Sequence, residues 1–502
     1  MDKRTVLAIG LSLLVLLSWS AFVSKTQPVA NKAVMTTGTL VSQPASVTPS
    51  SIPAPTSAST PALPEEVLKV KRDNIEISFI ESKAAIKGIY FQKHKYTFPL
   101  GNGLSFGPDE WAYKLIKNAG DEIVFVHAGS QERVTKKFIF DKSNYTIGLE
   151  LLVENLAGQP LKISSPLYLG TLDFAPKNQN APYQGVTAFI NGDAIYPNAR
   201  KDWEMSNVKY ISLHERYFCG LISPESASFS AFIKKGNGNS FIGLIRSDWT
   251  IPAGQTTADK FAIYLGPQDL RLLQSINPNW GHVIYYGKLD FIAQILLQSL
   301  EFIHKLVPNW GWTIVIFSLL IYLVLYPLTL KQMRSMKEMQ ALQPKIEALR
   351  KVNKDNPQKL NKEIMELYKE HKVNPLGGCL PLLLQMPIFF ALYQVLMRAV
   401  ALRGAKFLWI KDLSAPDQLF RISGFDVNIL PILMAIGMFV QQKMSIVAGA
   451  TSETAQQQKM MLVIMPLMFG FIFYKMPSGL VLYWFINSAL MMVYQVRTRY
   501  SK

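Results

Sequence analysis

Three apolar segments in the second half of the chain each carry a row of side chains at helical spacing, most of them polar. The rows are Ser318, Tyr322 and Tyr326; Gln385, Phe389 and Tyr393; and Tyr483 and Asn487. Residues four apart share one face of a helix, so each helix would present a polar stripe. In membrane helices such stripes face each other or a water-filled cavity. The rows therefore predict either a cavity that accepts hydrophilic groups or simple interhelical hydrogen bonds, worth ~0.6 kcal/mol each.

Two further residues, Met386 and Trp484, adjoin these rows and belong to the candidate lining of such a cavity. Methionine is flexible and polarizable, so it suits surfaces that accept many partners. Filling a core is nevertheless the ordinary role of any single methionine among the 19 in this chain.

Signatures of an enzyme are missing from the chain. There is no GxxxxGK[ST] loop for nucleotide phosphates and no GxSxG turn for a nucleophilic serine. His214 and Glu215 are followed by Phe218 where a zinc-protease helix requires histidine, and the six histidines do not cluster at metal-ligand spacing. Cys219 and Cys379 lie in very different segments, which disfavours a disulfide. We predict that the protein is not an enzyme and uses no cofactor or metal.

Composition places the chain in a membrane. Of its 502 residues 49% are hydrophobic, and the mean hydropathy is +0.14, which is high for a soluble protein of this size. The formal net charge of +17 suits nucleic acid or an anionic membrane surface, and the long apolar runs favour the membrane.

The first half of the chain divides into three parts. Residues 1–24 join Lys3 and Arg4 to an apolar run and predict an uncleaved anchor with a cytoplasmic N-terminus; a cleaved signal peptide is the alternative. Residues 25–64 are rich in Pro, Ser, Thr and Ala and predict a flexible linker. Residues 65–286 alternate polar and apolar side chains between turns, which predicts a large antiparallel β-sandwich outside the cytoplasmic membrane.

The second half is predicted to be helical, which gives a polytopic α-helical membrane protein with six transmembrane helices and a large all-β domain. Lys and Arg concentrate on one side, so both termini are expected in the cytoplasm. The segments are an amphipathic interfacial helix (287–308), the second span (309–330), a cytoplasmic hairpin (331–372), the third span (373–402), an outer segment (403–426), the fourth span (427–443), a cytoplasmic loop (444–458), the fifth span (459–475), the sixth span (476–496) and a basic cytoplasmic tail (497–502).

Several spans depart from a simple membrane anchor. The charge-free runs 427–442 and 460–474 would extend about 22–24 Å, below the ~30 Å of a typical hydrocarbon core. This predicts a locally thinned bilayer. Proline and glycine interrupt the third span and predict a bend and close packing where the hairpin enters the bundle. These residues are Pro375, Gly377, Gly378, Pro381 and Pro387.

The segment 331–372 contains eleven Lys and Arg against six Asp and Glu. Two apolar seams at helical spacing are separated by Asp355-Asn356-Pro357, which predicts an antiparallel helical hairpin. The charge of its basic side chains predicts that the hairpin lies on the cytoplasmic side. These side chains include Lys331, Arg334, Lys337, Lys345, Arg350 and Lys351.

Several longer motifs make the chain resemble one family. They are NWGW (309–312), YPLT (326–329), LQPKI (342–346), KVNPLGGCLPLLLQMPIFFALY (372–393), LWIKDLS (408–414) and MPSGLVLYW (476–484). The order of elements is an anchor, a large β domain and five clustered spans. In its motifs and in this order the chain resembles the YidC-type membrane protein insertases of Gram-negative bacteria, which are relatives of the mitochondrial Oxa and chloroplast Albino proteins. The resemblance covers essentially the whole chain.

This resemblance implies an insertase and chaperone that inserts and helps fold nascent inner-membrane proteins, alone or with the Sec translocon. It implies a periplasmic β-supersandwich and a hydrophilic groove that is closed to the periplasm but open to cytoplasm and lipid. The implied partners are nascent membrane proteins, the Sec translocon, the ribosome, signal-recognition components and the bilayer, with no nucleotide substrate. The resemblance also implies that the basic side chains of the hairpin 331–372 receive substrate, ribosome or signal-recognition partners on the cytoplasmic side. The groove residues would be Ser318, Tyr322, Tyr326, Gln385, Met386, Phe389, Tyr483, Trp484 and Asn487.

One position departs from the family pattern. Members usually carry a groove arginine four residues before the tyrosine of YPLT, whereas this chain has Tyr322 there. The usual role given to the arginine is to attract acidic residues of the translocated tail. We expect Tyr322 to support the groove by hydrogen bonding, with hydration rather than a fixed charge dominating.

Two other classes of function remain as alternatives. A polar-groove transporter for a small solute would usually pair charges inside its spans, which this chain lacks. A membrane-anchored carbohydrate-binding or mutarotase-like enzyme would retain activity in the isolated β domain, although no acid–base pair can be identified there from sequence.

Overall fold

The computed structural model describes residues 66–72, 75–141, 145–178, 180–225, 229–246, 249–353, 356–371, 373, 380–422, 424–445 and 452–500. The predicted anchor (1–24), the linker (25–64) and the Pro375 to Gly378 part of the predicted bend lie outside these residues. The chain divides into two compact units, Met1–Gly287 and Lys288–Lys502.

The first unit is built from short antiparallel strands. They are β1 (Val67–Arg72), β2 (Ile75–Ile80), β3 (Ala85–Phe91), β4 (Tyr96–Gly103), β5 (Lys114–Ala119), β6 (Glu122–Ala128), β7 (Glu132–Phe140), β8 (Thr146–Asn155), β9 (Leu161–Ile163), β10 (Leu167–Asp173), β11 (Gly185–Ile190), β12 (Asp193–Ile195), β13 (Trp203–Met205), β14 (Val208–His214), β15 (Phe218–Pro224), β16 (Ser230–Lys235), β17 (Asn239–Ile245), β18 (Trp249–Ile251) and β19 (Thr256–Pro267).

These strands form a sandwich. One sheet has nine strands in the order β12-β11-β14-β15-β19-β8-β7-β6-β5, and β9 pairs with β18. Two four-stranded sheets, β1-β2-β3-β4 and β10-β17-β16-β13, meet where the Leu104 N–H donates to the Tyr168 carbonyl at 2.6 Å. Aromatic rings fill the space between the layers: Phe91 stacks on Phe218 at 4.2 Å, and Phe79 packs on Phe138 at 5.3 Å. The predicted large antiparallel β-sandwich is confirmed.

The alternation of the sequence explains which side chains fill this core. Along β8 every second residue is buried, as the period of a strand requires. On the neighbouring β7 the same register places Lys136 in the core, fully buried. Its Nζ donates to the carbonyls of Ala84 and Leu104, and the rings of Tyr113 and Phe138 flank it at 5.4 and 5.5 Å.

The remaining elements are mostly helical. The helices are α1 (Leu270–Ile276), α2 (Asp290–Leu306), α3 (Trp310–Ala341), α4 (Gln343–Val352), α5 (Pro357–Glu370), α6 (Leu380–Arg398), α7 (Ile429–Ser445), α8 (Ser452–Phe473) and α9 (Ser478–Tyr500). Short 3₁₀ turns occur at Glu81–Lys83, Ala181–Tyr183, Pro278–Val283, Gly287–Leu289 and Val400–Leu402. Two strands, β20 (Phe420–Ile422) and β21 (Phe425–Val427), form a hairpin between α6 and α7.

Helix α2 is amphipathic, as its spacing predicts. Ala293, Leu296, Leu300 and Ile303 are buried along one side, where α2 packs against α3 and α6. The opposite side exposes large apolar residues, including Phe291 and Phe302. A position on the outer membrane surface stays a prediction.

Helix boundaries differ from the predicted segments in three places. Helix α3 does not end near residue 330 but continues to Ala341, because no proline or glycine follows Pro327 until Pro344. Helix α8 begins at Ser452, inside the predicted cytoplasmic loop, and α9 continues into the predicted tail as far as Tyr500. A change from apolar to charged residues therefore does not end these helices.

Length and composition identify two candidates for membrane spans within the described ranges. They are Trp310–Pro327 of α3 and Ser478–Arg497 of α9. Shorter apolar stretches occupy Ile429–Met444 of α7 and Leu462–Phe473 of α8. The count of six spans stays a prediction.

Candidate functional site

The polar face of α3 is partly satisfied within the helix itself. Ser318 is fully buried, and its Oγ donates to the Ile314 carbonyl at 2.7 Å. Thr329, farther along the same face, donates to the Leu325 carbonyl at 3.1 Å. A hydroxyl that donates to the carbonyl four residues earlier in its own helix has no proton left to donate to a neighbouring helix. Ser318 therefore contributes a small polar lining but no free hydroxyl proton.

A cluster of three tyrosines joins α3 to α9. The rings of Tyr322 and Tyr326 lie 6.0 Å apart, and Tyr326 meets Tyr494 edge-on at 5.8 Å. Arg334 lies close enough to Tyr494 for an electrostatic interaction. The cluster therefore runs from within the apolar part of α3 toward the basic hairpin.

Tyr494 is a member of this cluster that the sequence prediction missed. It lies seven residues after Asn487 on α9, so a helix of 3.6 residues per turn places both on nearly the same face as Tyr483. A search for polar residues seven positions beyond Asn487, which is about two helical turns, would have identified Tyr494.

A second polar group lies farther along α9 toward its N-terminus. Tyr483 is buried, and its hydroxyl is near the side-chain amides of Gln385 on α6 and Asn487 on α9. Neither contact has the geometry of a hydrogen bond, so the hydroxyl is unpaired within the described protein. Asn487 instead donates from Nδ2 to the Tyr483 carbonyl at 3.1 Å. The structure thus brings together three of the predicted groove residues.

Phe389 and Trp484 belong to an aromatic cluster rather than to this polar group. Their rings meet edge-on at 4.9 Å, and Trp484 also stacks against Phe469 at 5.6 Å and contacts Phe473 at 5.4 Å. The cluster packs α6, α8 and α9 together. Met386 is partly buried beside Gln385.

The outer segment between α6 and α7 ties the helix ends together. The N–H groups of Ser478 and Gly479, at the start of α9, donate to the carbonyls of Ala415 and Leu413 at 2.8 and 2.9 Å. Close to the start of α3, Gly311 leaves no room for a side chain, since a Cβ there would overlap the ring of Phe407. The ends of α3 and α9 therefore pack tightly against one segment.

The start of α7 is fixed by a buried carboxylate. Oδ2 of Asp417 accepts from the N–H groups of Ile429 and Leu430, both at 2.9 Å, and from Nε1 of Trp409 at 3.1 Å. An acidic group at a helix N-terminus satisfies orphan donors and complements the helix dipole. Nearby, Tyr474 at the end of α8 donates to the Asp426 carbonyl at 2.7 Å.

The hairpin at the other end of α3 has a small core of its own. Leu342, Ile346 and Val373 are buried together, with Met339 and Leu367 packed against them. Asn353 donates to Oε2 of Glu363 at 2.6 Å and joins α4 to α5. The candidate cations on exposed side chains are Arg334, Lys337, Lys345, Arg350 and Lys351; of Lys331 only the helical backbone is described.

Comparison with known proteins identifies the family. The model of the YidC periplasmic domain matches residues 81–299, and the model of the 60Kd inner membrane protein matches residues 302–502. A membrane protein insertase YidC from Pelobacter propionicus is 32% identical over 98% of this chain and 97% of its own length. The chain belongs to the YidC family.

Other YidC proteins match over smaller shares. The membrane protein insertase YidC of Wolinella succinogenes is 35% identical over 76% of this chain and 67% of its own length. A crystal structure described as an active YidC insertase with the first transmembrane domain resolved is 21% identical, covers 86% of this chain and 93% of its own, and aligns with a TM-score of 0.42.

Proposed function

We propose that this chain inserts nascent membrane proteins along the polar face shared by α3, α6 and α9. Membership of the YidC family supports insertase activity and location in the inner membrane. One observation carries the proposed site: the buried Tyr483 hydroxyl has no regular hydrogen bond, although the amides of Gln385 and Asn487 lie beside it.

Such a group favours binding of a polar client segment. A buried hydroxyl without a hydrogen bond costs about 1–3 kcal/mol. A hydrophilic stretch of client backbone or side chain that parts the helices and bonds to Tyr483 removes this cost and loses less of its own hydration. In pure hydrocarbon each charged residue would cost ~2.5–3.5 kcal/mol. The polar face thus lowers the barrier for the hydrophilic segment while the apolar segment moves into lipid.

Access from the cytoplasm is part of the proposal. The outer segment bonds to the start of α9 through Ala415 and Leu413 and packs Phe407 against Gly311 of α3, which supports closure on the periplasmic side. The basic hairpin marks the opposite end of α3. Insertion then needs no nucleotide, because burial of the client's apolar helix in lipid supplies the free energy.

The finer topology and partners also belong to this proposal. Six spans with both termini in the cytoplasm place the exposed Lys345, Arg350 and Lys351 where the ribosome and signal-recognition components approach. Cooperation with the Sec translocon would use the same bundle, with the nascent chain passing laterally between the two proteins.

Site-specific photocrosslinking to a stalled nascent membrane protein tests the site. The photoreactive residue is placed at Gln385 or Asn487, and at Val493 as the matched control. Val493 is 64% exposed and lies six residues after Asn487, about 120° around α9 from it. We expect adducts from positions 385 and 487 and few from 493. Absence of adducts from both polar positions, or equal yield from Val493, would contradict the proposed path.

A further inference from the structure

The outer segment exposes apolar side chains at two turns. At the first, Phe407 and Ile410 exchange backbone hydrogen bonds of 3.0 and 2.8 Å, and Leu408 between them is 72% exposed. At the second, β20 of the β20–β21 hairpin presents Phe420 and Ile422, which are 46% and 57% exposed. Phe420 and Ile422 share one face of the strand because they are two residues apart.

Both turns are costly on their own. Leu408 has φ of +50°, in the left-handed region that non-glycine residues rarely adopt. A two-stranded hairpin with three residues in each strand is marginally stable without a surface to cover it. Apolar side chains grouped at turns therefore indicate a contact with another phase or molecule.

The segment is held firmly to the membrane helices. Asp417 accepts hydrogen bonds from the first two N–H groups of α7, and Asn428 donates from Nδ2 to the Tyr474 carbonyl at 2.7 Å. The hairpin therefore cannot move far from the outer ends of α7 and α8. Its position relative to the bilayer follows from where those helices end.

Helix length places this end within the outer leaflet. The apolar stretch Ile429–Met444 extends about 24 Å, whereas a typical hydrocarbon core is ~30 Å thick. With Lys443 held at the cytoplasmic headgroups, the start of α7 lies ~6 Å below the outer boundary of an unthinned hydrocarbon core, and at that boundary where the bilayer thins to match the helix. Strands β20 and β21, just before α7, then lie at the depth of the outermost acyl carbons or of the headgroups.

We propose that the two turns insert Leu408, Phe420 and Ile422 into the outer leaflet of the bilayer. Lys406 and Lys411 are exposed on either side of Leu408, and their ammonium groups suit the phosphates of lipid headgroups. This lipid-binding surface is independent of the polar face that receives clients. This surface would anchor the N-terminal end of the short helix α7 in the outer leaflet.

Fluorescence depth measurement on the full-length chain tests this surface. The background carries Cys219→Ala and Cys379→Ala, and the environment-sensitive dye NBD is attached after Ile422→Cys. Arg421→Cys is the matched control, because the adjacent strand residue points to the opposite face. Both proteins are reconstituted into vesicles of phosphatidylethanolamine and phosphatidylglycerol, with and without lipid bearing a doxyl quencher at acyl carbon 5.

We expect blue-shifted emission at position 422 and quenching at least ~2-fold stronger than at position 421. Equal, water-like emission from both positions in folded protein would overturn the proposal and point to a protein partner absent from the vesicles. Blue-shifted emission at 422 without doxyl quenching would also overturn it, since the side chain would then be covered by protein. Monodisperse size-exclusion profiles of both variants show that they are folded.

Discussion

At the scale of single residues, the candidate groove is polar without being charged. Residues 311–330 of α3 and 478–496 of α9 contain no Asp, Glu, Lys or Arg. Their polarity comes instead from phenol, amide and hydroxyl groups, including Tyr322, Tyr326 and Tyr494. Neutral groups of this kind hydrate a client segment of either sign, whereas a fixed cation would favour acidic segments.

Tyr322 tests this view directly. We expect Tyr322→Phe to lower insertion about fivefold in a strain depleted of its own insertase, the effect of losing one hydrogen bond of ~1 kcal/mol. Val324→Ala on the exposed side of α3 is the control and should insert normally. Full complementation by Tyr322→Phe would show that the hydroxyl is dispensable. Better insertion of acidic tails by Tyr322→Arg would instead support the role of a groove cation.

Lys136 makes the stability of the β-sandwich depend on pH. Burial lowers the pKa of Lys136 from 10.5 to about 7. Below pH 7 the amine is charged in folded and unfolded chains alike. Between about 7 and 10.5 only the unfolded chain binds the proton, so the folded state gains stability as the pH rises.

The unfolding midpoint of a fragment covering residues 66–287 should therefore rise between pH 7 and pH 10. Lys136→Met should flatten this rise, while the unpaired carbonyls of Ala84 and Leu104 cost about 1–3 kcal/mol each at every pH. An equal slope in both proteins would exclude Lys136 as the titrating group. Lys137→Met, at a partly exposed neighbour on the same strand, controls for loss of charge: its ion pair with Glu122 raises the pKa of Lys137, so its loss should leave the slope between pH 7 and pH 10 unchanged.

At the scale of elements, the cap of α7 supports the outer end of the bundle. Asp417→Ala removes three hydrogen bonds to one carboxylate oxygen and the favourable charge at the helix start. We expect a loss of ~1–2 kcal/mol, measured as a lower unfolding midpoint in detergent. Asp426→Ala should change the midpoint little, because its ion pair with Arg421 is exposed. Similar midpoints for the two variants would contradict the capping role.

Local periodicity predicted most helices of the second unit and the antiparallel β-sandwich of the first. Strand β8 alternates buried and exposed residues throughout, and the Ser318, Tyr322 and Tyr326 stripe lies on one helix as expected. The predicted span ends at residue 330, where apolar residues give way to charged ones, whereas the helix α3 continues to Ala341. Helical backbone continues until sequence chemistry, here Pro344, breaks it.

Pairing between distant residues was beyond the sequence. Strand β8 pairs with β19, more than a hundred residues later, and many other β-rich segments fit the same alternation. The aromatic cluster around Trp484 was likewise missed, because Phe469 and Phe473 read as ordinary lipid-facing residues until α8 is placed beside α9. Polar spacing identifies a face, but only packing decides which faces meet.

At the scale of the whole molecule, the short apolar stretches of α7 and α8 should thin the surrounding bilayer. Cryo-electron microscopy of the full chain in nanodiscs should show a leaflet separation several ångströms smaller beside these helices than at the disc edge. Insertion should also be faster in lipids with 14-carbon than with 18-carbon acyl chains. A uniform bilayer around the protein would contradict the thinning, whatever the insertion rates.

The hydrogen bonds from Ser478 and Gly479 to the outer segment have a mechanical consequence. The start of α9 is fixed there, and Gly311 near the start of α3 packs on Phe407 of the same segment, whereas near their other ends the two helices meet through the Tyr326–Tyr494 ring contact. A ring contact slides at little cost, whereas the two backbone hydrogen bonds from Ser478 and Gly479 resist displacement. We expect α3 and α9 to hinge about their ends at the outer segment. A client helix would then separate the two helices first at the end nearest the basic hairpin.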